Sequence, residues 1–267
     1  MSGWDCHAHL FGPYERFPLA AERSYTPPEA PLSQYLALLA RLGLSHGVLV
    51  HPSAYADDHA LLFDALAAAD HLRGVIVARP GRFGTLQGLH ARGVRGARFS
   101  QRSGAGGNFA GSATLADLQQ LAPALADAGL HAELWTDSPA LPDLLPALQA
   151  LPVPLVIDHM GGFNLAAGVD GAGFRALLSL LDGGRVWVKL CAYRNLLGQP
   201  DFEAGRPFHA LLLQANPERL VWGSDWPHLR LEPAPDAAAL LATCKRWTGD
   251  AGMVERILVT NPGLLYG

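Results

Sequence analysis

Eight short apolar runs, spaced by stretches of helical periodicity and with no linker long enough to divide the chain, predict an α/β fold: a single-domain (β/α)8 TIM barrel spanning residues 1–267. The runs are 4–10, 47–52, 74–78, 94–99, 130–136, 155–160, 186–191 and 220–224. Val, Ile, Leu and Trp dominate them without strict polar alternation, as in strands covered on both faces.

The intervening segments supply the helices. Residues 32–42 carry apolar side chains at 35, 36, 38, 39 and 42. Segments 61–72 and 115–128 are rich in Ala and Leu, which favour helix. Thr114-x-x-Asp117 resembles a capping box with Asp in the usual Glu position, and Gly129 suits the C′ site beyond that helix. Segment 141–151 contains prolines and is expected to be short or broken. Further helices are expected at 174–181, 208–215 and 235–247. The Pro- and Gly-rich stretches 11–31 and 102–111 follow strands, so they read as βα loops at the C-terminal face, where a barrel builds its active site.

Composition narrows the classes. An apolar fraction of 49% and a charged fraction of 16% argue for a packed protein and against disorder. The net charge is −4 and the arginines are scattered, so no nucleic-acid partner is expected. Three widely spaced cysteines do not make a disulfide framework, and a reduced, cytoplasmic protein is expected. No cationic and apolar leader with a cleavage site opens the chain, and no apolar run approaches the length of a membrane span. Trp4, Trp187 and Trp222 fall within strands and read as core. The sequence does not disclose the oligomeric state.

Chemistry concentrates at three strand ends. His7-Ala8-His9 closes the first run, and alternation on a strand sends both imidazoles the same way. Asp158-His159-Met160-Gly161 ends the sixth, and Gly223-Ser224-Asp225-Trp226-Pro227-His228 follows the eighth. Packing alone does not account for four polar residues converging on one rim. Arg98 ends the fourth run, Arg102 lies a step beyond, and Arg194 follows the seventh. Arginines at a rim form bidentate contacts with carboxylates, which points to a small anionic substrate. Arg95, on the opposite face by alternation, reads as structural. His131 reads as a core or rim histidine, and His228 is assigned no catalytic step.

An HxH after strand one, a His after strand six and an Asp after strand eight resemble the amidohydrolase superfamily. The strings DCHAHLFGP (5–13), ERSYTP (22–27), GVRGARF (93–99), IDHMGG (157–162), VKLCAYR (188–194), VWGSDWPH (221–228) and NPGLLYG (261–267) are similar to its 2-pyrone-4,6-dicarboxylate hydrolase branch, from end to end of the chain. The resemblance implies a lactone hydrolase of aromatic degradation, with Asp225 as general base for water and His7, His9 and His159 polarising the scissile carbonyl. It also implies that Arg98 and Arg194 hold substrate carboxylates and that Tyr25 and Ser53 touch substrate. One departure is visible: Gly162 stands where the branch leads one to expect a carboxylate-binding arginine.

For metals, His7, His9 and Asp225 are suitable ligands for a mononuclear zinc. Against a metal, strand five ends in Glu133-Leu134-Trp135-Thr136 without a histidine, and Arg98 occupies a strand-four position adjoining the site. The branch that the chain resembles works without a divalent metal, so no cofactor is expected. A lactone isomerase, a metal-dependent decarboxylase of aromatic acids and a non-catalytic binder of small acids are the competing readings. Product analysis, metal analysis and turnover discriminate them.

Overall fold

The computed structural model describes residues 3–82, 84–103, 107–199 and 201–267; positions 104–106 of the expected loop at 102–111 lie outside the described residues. Eight parallel strands pair in chain order: β1 (Trp4–Ala8), β2 (His46–Val50), β3 (Leu72–Val77), β4 (Val94–Gln101), β5 (His131–Thr136), β6 (Leu155–Ile157), β7 (Val186–Leu190) and β8 (Leu220–Trp222). A parallel bridge between Ala8 and Trp226 and a 2.8 Å hydrogen bond from the Asp225 amide to the His7 carbonyl join the last strand end to the first. The structure is thus the expected (β/α)8 barrel.

Gly223 permits that junction. A Cβ there would lie 2.6 Å from the His7 Cβ and 2.9 Å from its backbone nitrogen, so only glycine lets the strand ends approach so closely.

The helices α1 (Leu32–Leu42), α2 (Ala60–Ala68), α3 (Leu115–Asp127), α4 (Leu141–Gln149), α5 (Ala172–Asp182), α6 (Arg206–Ala215) and α7 (Ala237–Thr248) surround the strands. Thr114 and Asp117 form the reciprocal capping box at the start of α3. Segment 141–151 forms a short helix, one of the two expected outcomes, and its prolines do not break it. Pro142 sits in the first turn of α4, where no amide partner is needed, and the helix continues through Pro146. Between β3 and β4 the described residues hold only a single 3-10 turn, His90–Arg92. The tail adds two short helices that periodicity did not reveal, α8 (Ala251–Glu255) and α9 (Asn261–Tyr266). No helix among the described residues is long and apolar enough to cross a membrane.

The apolar core has two parts. The larger fills the space between strands and helices. The smaller lies inside the barrel and includes Cys6, Val50, Val75, Val156, Trp187 and Val221, with Tyr266 among them. Above this apolar floor the interior turns polar. Glu133, Asp158, Lys189 and His7 are all fully buried there, directly beneath the C-terminal face. Trp4, Trp187 and Trp222 are buried in their strands. Arg95 is structural in its contacts: its Nε donates to the carbonyl of Tyr266 at 3.0 Å.

Candidate active site

A register shift between Asp5 and Ala8 inserts one extra residue of β1 against β2. Such a bulge re-aims side chains. Cys6 joins the apolar interior while His7 meets Lys189 and Asp158, and His9 reaches the cavity above. Asp5 anchors the neighbouring strand end, accepting hydrogen bonds from the Ser224 amide at 2.7 Å and the Ser224 hydroxyl at 2.6 Å. Burial raises the Asp5 carboxyl to about 6 despite these donors. The adjacent residue is Asp225, so Asp5 fixes the position of the expected base.

His7, His9, His159 and Asp225 come together. His7 Nε2 lies 3.3 Å from His9 Nε2, and Asp225 Oδ1 lies 3.7 Å and 3.4 Å from those two nitrogens. The His159 ring centroid is 4.9 Å from that of His7. The two Asp225 oxygens differ. Oδ2 is held by the Tyr193 hydroxyl at 2.7 Å and by Arg194 Nε, whereas Oδ1 is buried without a hydrogen-bond partner. Burial pushes the carboxyl up, but Arg194 and the neighbouring histidines outweigh it and hold Asp225 well below the usual carboxylate range.

The protonation of the two β1 histidines follows from their partners. His9 Nδ1 is 2.7 Å from the carbonyl of Val50, which can only accept, so Nδ1 carries the proton. Its Nε2 is left with a lone pair. Beneath His7, the Lys189 ammonium donates to Glu133 Oε2 at 2.6 Å, meets His7 Nδ1 at 3.1 Å and forms an ion pair with Asp158 Oδ1 at 3.3 Å. His7 Nδ1 thus faces both the Lys189 ammonium, from which it can accept, and Asp158 Oδ1 at 3.4 Å, to which it can donate, while its Nε2 faces His9 and Asp225. Burial, reinforced by the Lys189 charge, lowers His7 to about 4 and keeps the ring neutral. His159 is held well below the ordinary histidine range, by burial first.

His7, His159 and Asp225 are close enough to share a cation, and so are His7, Glu133 and Asp158. The separations of 3.3 to 3.7 Å among His7, His9 and Asp225 also suit ligands of one dication. The charges around the set weigh against one. His9 has the carbonyl partner typical of a metal-bound imidazole, but His7 rests on the Lys189 ammonium. In the lower cluster Lys189 already supplies the positive charge. The set fits a dication in spacing, while Lys189 below it and Arg194 beside Asp225 already supply positive charge.

His9, His159 and Asp225 lie at the floor of a cavity of about 400 Å³. Tyr25, Ser53, Arg98, Arg102 and Arg194 all line it, as do His9, His159 and Asp225. Ser53 Oγ and the Tyr25 hydroxyl are 3.5 Å apart. Arg98 Nε donates to Asp158 Oδ2 at 2.8 Å, and Arg194 pairs with Asp225, so two of the expected substrate anchors also carry internal ion pairs. β4 runs on to Gln101, placing Arg98 within the strand and Arg102 immediately past its end. His228 Nε2 turns away to the Ser224 carbonyl at 3.2 Å, and His131 lies low in the barrel, 3.4 Å from Glu133.

Sequence reasoning passed over Lys189, Glu133, Tyr193 and Arg230. A lysine in the apolar run Val186–Leu190 and a glutamate in β5 are the available signals, since a charge in a strand covered on both faces requires a partner.

Backbone strain gathers at the ends of β6 and β8. His159, Met160, Asp225, His228 and Arg230 all have positive φ, between 50° and 65°. So does Gly162, at 59°, where a Cβ would meet the Thr136 carbonyl oxygen at 2.8 Å and the Asp137 Cα at 2.9 Å. The missing arginine therefore cannot simply be restored. Gly162→Arg is expected to cost about 1–3 kcal/mol without tightening dicarboxylate binding, measured by urea unfolding and calorimetric titration.

Acid sensitivity follows from the buried rings. His7 and His209 titrate near 4 in the folded chain, mainly through burial, against an ordinary value near 6.5. Between those values the unfolded chain binds more protons, so this stability is lost as pH falls from about 6.5 towards 4. Asp5, raised to about 6, acts in the opposite sense over part of that window. Urea unfolding at pH 7 and pH 5 is expected to show a net loss, with each of the two histidines contributing up to about 2 kcal/mol.

A metal-assisted or metal-free acyl hydrolase is the class that this barrel and its strand-end histidine and aspartate set define. A family model described as amidohydrolase matches residues 4–267, and the chain belongs to that enzyme family. Among its relatives, a 4-sulfomuconolactone hydrolase of Rhizobium radiobacter is 37% identical, covering 99% of this chain and 89% of that protein. A 2-pyrone-4,6-dicarboxylate hydrolase of Comamonas testosteroni is 32% identical, covering 98% and 89%. A crystal structure from Pseudomonas putida, assigned provisionally as a 2-pyrone-4,6-dicarboxylic acid hydrolase, superposes with a TM-score of 0.86 at 32% identity, covering 100% and 97%.

Proposed function

We propose that the protein hydrolyses a small lactone bearing acidic groups, 2-pyrone-4,6-dicarboxylate or a close relative, without a metal. The observation that carries this reading is the unpartnered Oδ1 of Asp225, buried at the cavity floor beside two imidazoles. With Oδ2 tied to Tyr193 and Arg194, the free oxygen takes the proton of a water as that water's oxygen bonds to the lactone carbonyl carbon. The carbonyl oxygen becomes an oxyanion, stabilised by a donor from the neutral His159 at the cavity floor, with His7 packed behind it. The ring C–O bond then breaks and Asp225 returns the proton to the departing oxygen.

Arg98 and Arg194 each present more N–H groups than their ion pairs consume, and these anchor the substrate's acid. Tyr25, Ser53 and Arg102 complete the contacts. The names of the relatives, both lactone hydrolases, support the substrate class.

The test is the loss of 2-pyrone-4,6-dicarboxylate absorbance with protein treated or untreated with chelator, followed by product analysis. Equal turnover in both, giving the ring-opened acid, is the expected result. Turnover abolished by chelation and restored by zinc would overturn the metal-free assignment. An isomeric lactone as product would overturn hydrolysis.

A further inference from the structure

We infer that Tyr266, at the foot of the barrel, is a positioning residue for the active site: its hydroxyl fixes the Glu133 carboxylate, and through it the Lys189 ammonium on which His7 rests. Its effect on turnover rests on the lactonase reading; its effect on His7 does not. Tyr266, Glu133, Lys189 and His7 are all fully buried. The Tyr266 hydroxyl donates to Glu133 Oε1 at 2.9 Å, and Lys189 Nζ donates to Glu133 Oε2 at 2.6 Å. The same ammonium lies 3.1 Å from His7 Nδ1, and His7 presents Nε2 to Asp225 Oδ1 at 3.7 Å. An unbroken line of polar contacts thus runs through the barrel interior from α9 to the proposed base.

The hydroxyl is held in a rigid frame. Asn261 Nδ2, at the start of α9, donates to the carbonyls of Pro217 at 2.8 Å and Leu220 at 2.7 Å. At the other end the Tyr266 carbonyl accepts from Arg73 Nε and Arg95 Nε, each at 3.0 Å. The ring stacks on Trp4 at 6.3 Å and meets His131 edge to face at 5.2 Å. Burial, reinforced by the Glu133 charge, raises the phenol well above its usual range, so it stays a donor at any working pH. His131 Nε2 is a longer contact of Glu133 Oε1, at 3.4 Å. Without the hydroxyl, the carboxylate loses its shorter partner at Oε1 and can turn about its soft terminal torsion, and the ammonium bonded to Oε2 follows it. His7 Nδ1 faces both that ammonium and Asp158 Oδ1, 3.4 Å away. The place of Lys189 therefore decides which partner Nδ1 takes, and with it whether Nε2 shows Asp225 a proton or a lone pair.

Tyr266→Phe removes one oxygen and keeps the ring contacts. In the unliganded protein it is expected to displace the nitrogen-15 NMR signals of the His7 ring. With 2-pyrone-4,6-dicarboxylate it is expected to lower kcat by about tenfold while KM stays within about twofold of native. Leu212→Ala, which opens a void in the buried face of α6, is the control: it lowers stability and leaves the His7 signals and kcat in place. Unchanged His7 signals in Tyr266→Phe overturn the proposal, and so does an equal displacement in Leu212→Ala. Displaced signals with native kcat confine Tyr266 to holding the ring and overturn its part in turnover. Where Tyr266→Phe does not fold, Glu133→Gln breaks the line one link higher and is expected to move the same signals. Failure of the native protein to open any lactone would count against the base and leave the His7 signals as the test of the geometry.

Discussion

Asp225→Asn is expected to lower kcat by about 10³–10⁴-fold while leaving the binding of isophthalate, a non-hydrolysable ring acid, within a few-fold of native. The amide keeps the shape of the side chain and can still accept from Tyr193, but it has no lone pair basic enough to take a proton from water. Its effect on Arg194 is the informative part. The ion pair with Arg194 weakens to a neutral contact, which frees the guanidinium for the ligand. Ligand affinity is thus expected to hold or to rise as turnover disappears. Single-turnover kinetics beside calorimetry checks both halves. Near-native turnover in Asp225→Asn would remove the general base from the reading.

Lys189→Met is expected to cost about 3–5 kcal/mol in unfolding free energy. The substitution fits the volume, but it leaves Glu133 and Asp158 buried with one cation fewer between them. Glu133 is held near 2 chiefly because the Lys189 charge outweighs burial, so its removal lets that carboxyl rise and take up a proton. The second consequence is local to His7. Without the ammonium, Nδ1 has only Asp158 Oδ1, 3.4 Å away, as a partner, which places the ring proton on Nδ1. Nitrogen-15 NMR of the histidine rings reports that tautomer directly, and a purely structural role for Lys189 would leave it unchanged. Where Lys189→Met does not fold, Lys189→Arg keeps the charge and still disturbs the contact with His7.

Much of the architecture was legible because the barrel strands are covered on both faces, which writes them as apolar runs that interrupt helical periodicity. The runs at 94–99 and 130–136 fall on β4 and β5 for this reason. The runs at 4–10 and 155–160 overreach, since the chain leaves the sheet at Ala8 and Ile157 to build the site. The tail helices escaped notice because Ala251–Glu255 and Asn261–Tyr266 are too short to show a period.

At the site, the strand-end histidines and Asp225 could be located from position alone. The charge network below them could not, because Lys189 and Glu133 come from two strands, Asp158 follows a third, and nothing local pairs them. The ion pairs of Arg98 and Arg194 were hidden likewise: a rim arginine reads the same whether its partner is a substrate or an aspartate across the barrel.

The left-handed backbone at His159, Met160, Asp225 and Arg230 has a bearing on how this enzyme could be improved. Each non-glycine residue in that conformation forgoes about 1 kcal/mol that glycine, and to a lesser degree asparagine, would recover. A selection for heat resistance alone would therefore be drawn to these positions and would collect sturdy barrels that no longer turn over. Met160, buried and outside the cavity lining, is the one position of the four away from the ligand, but emptying its place in the core costs more than the backbone relief returns. Robustness and activity compete here residue by residue, and any screen has to score both at once.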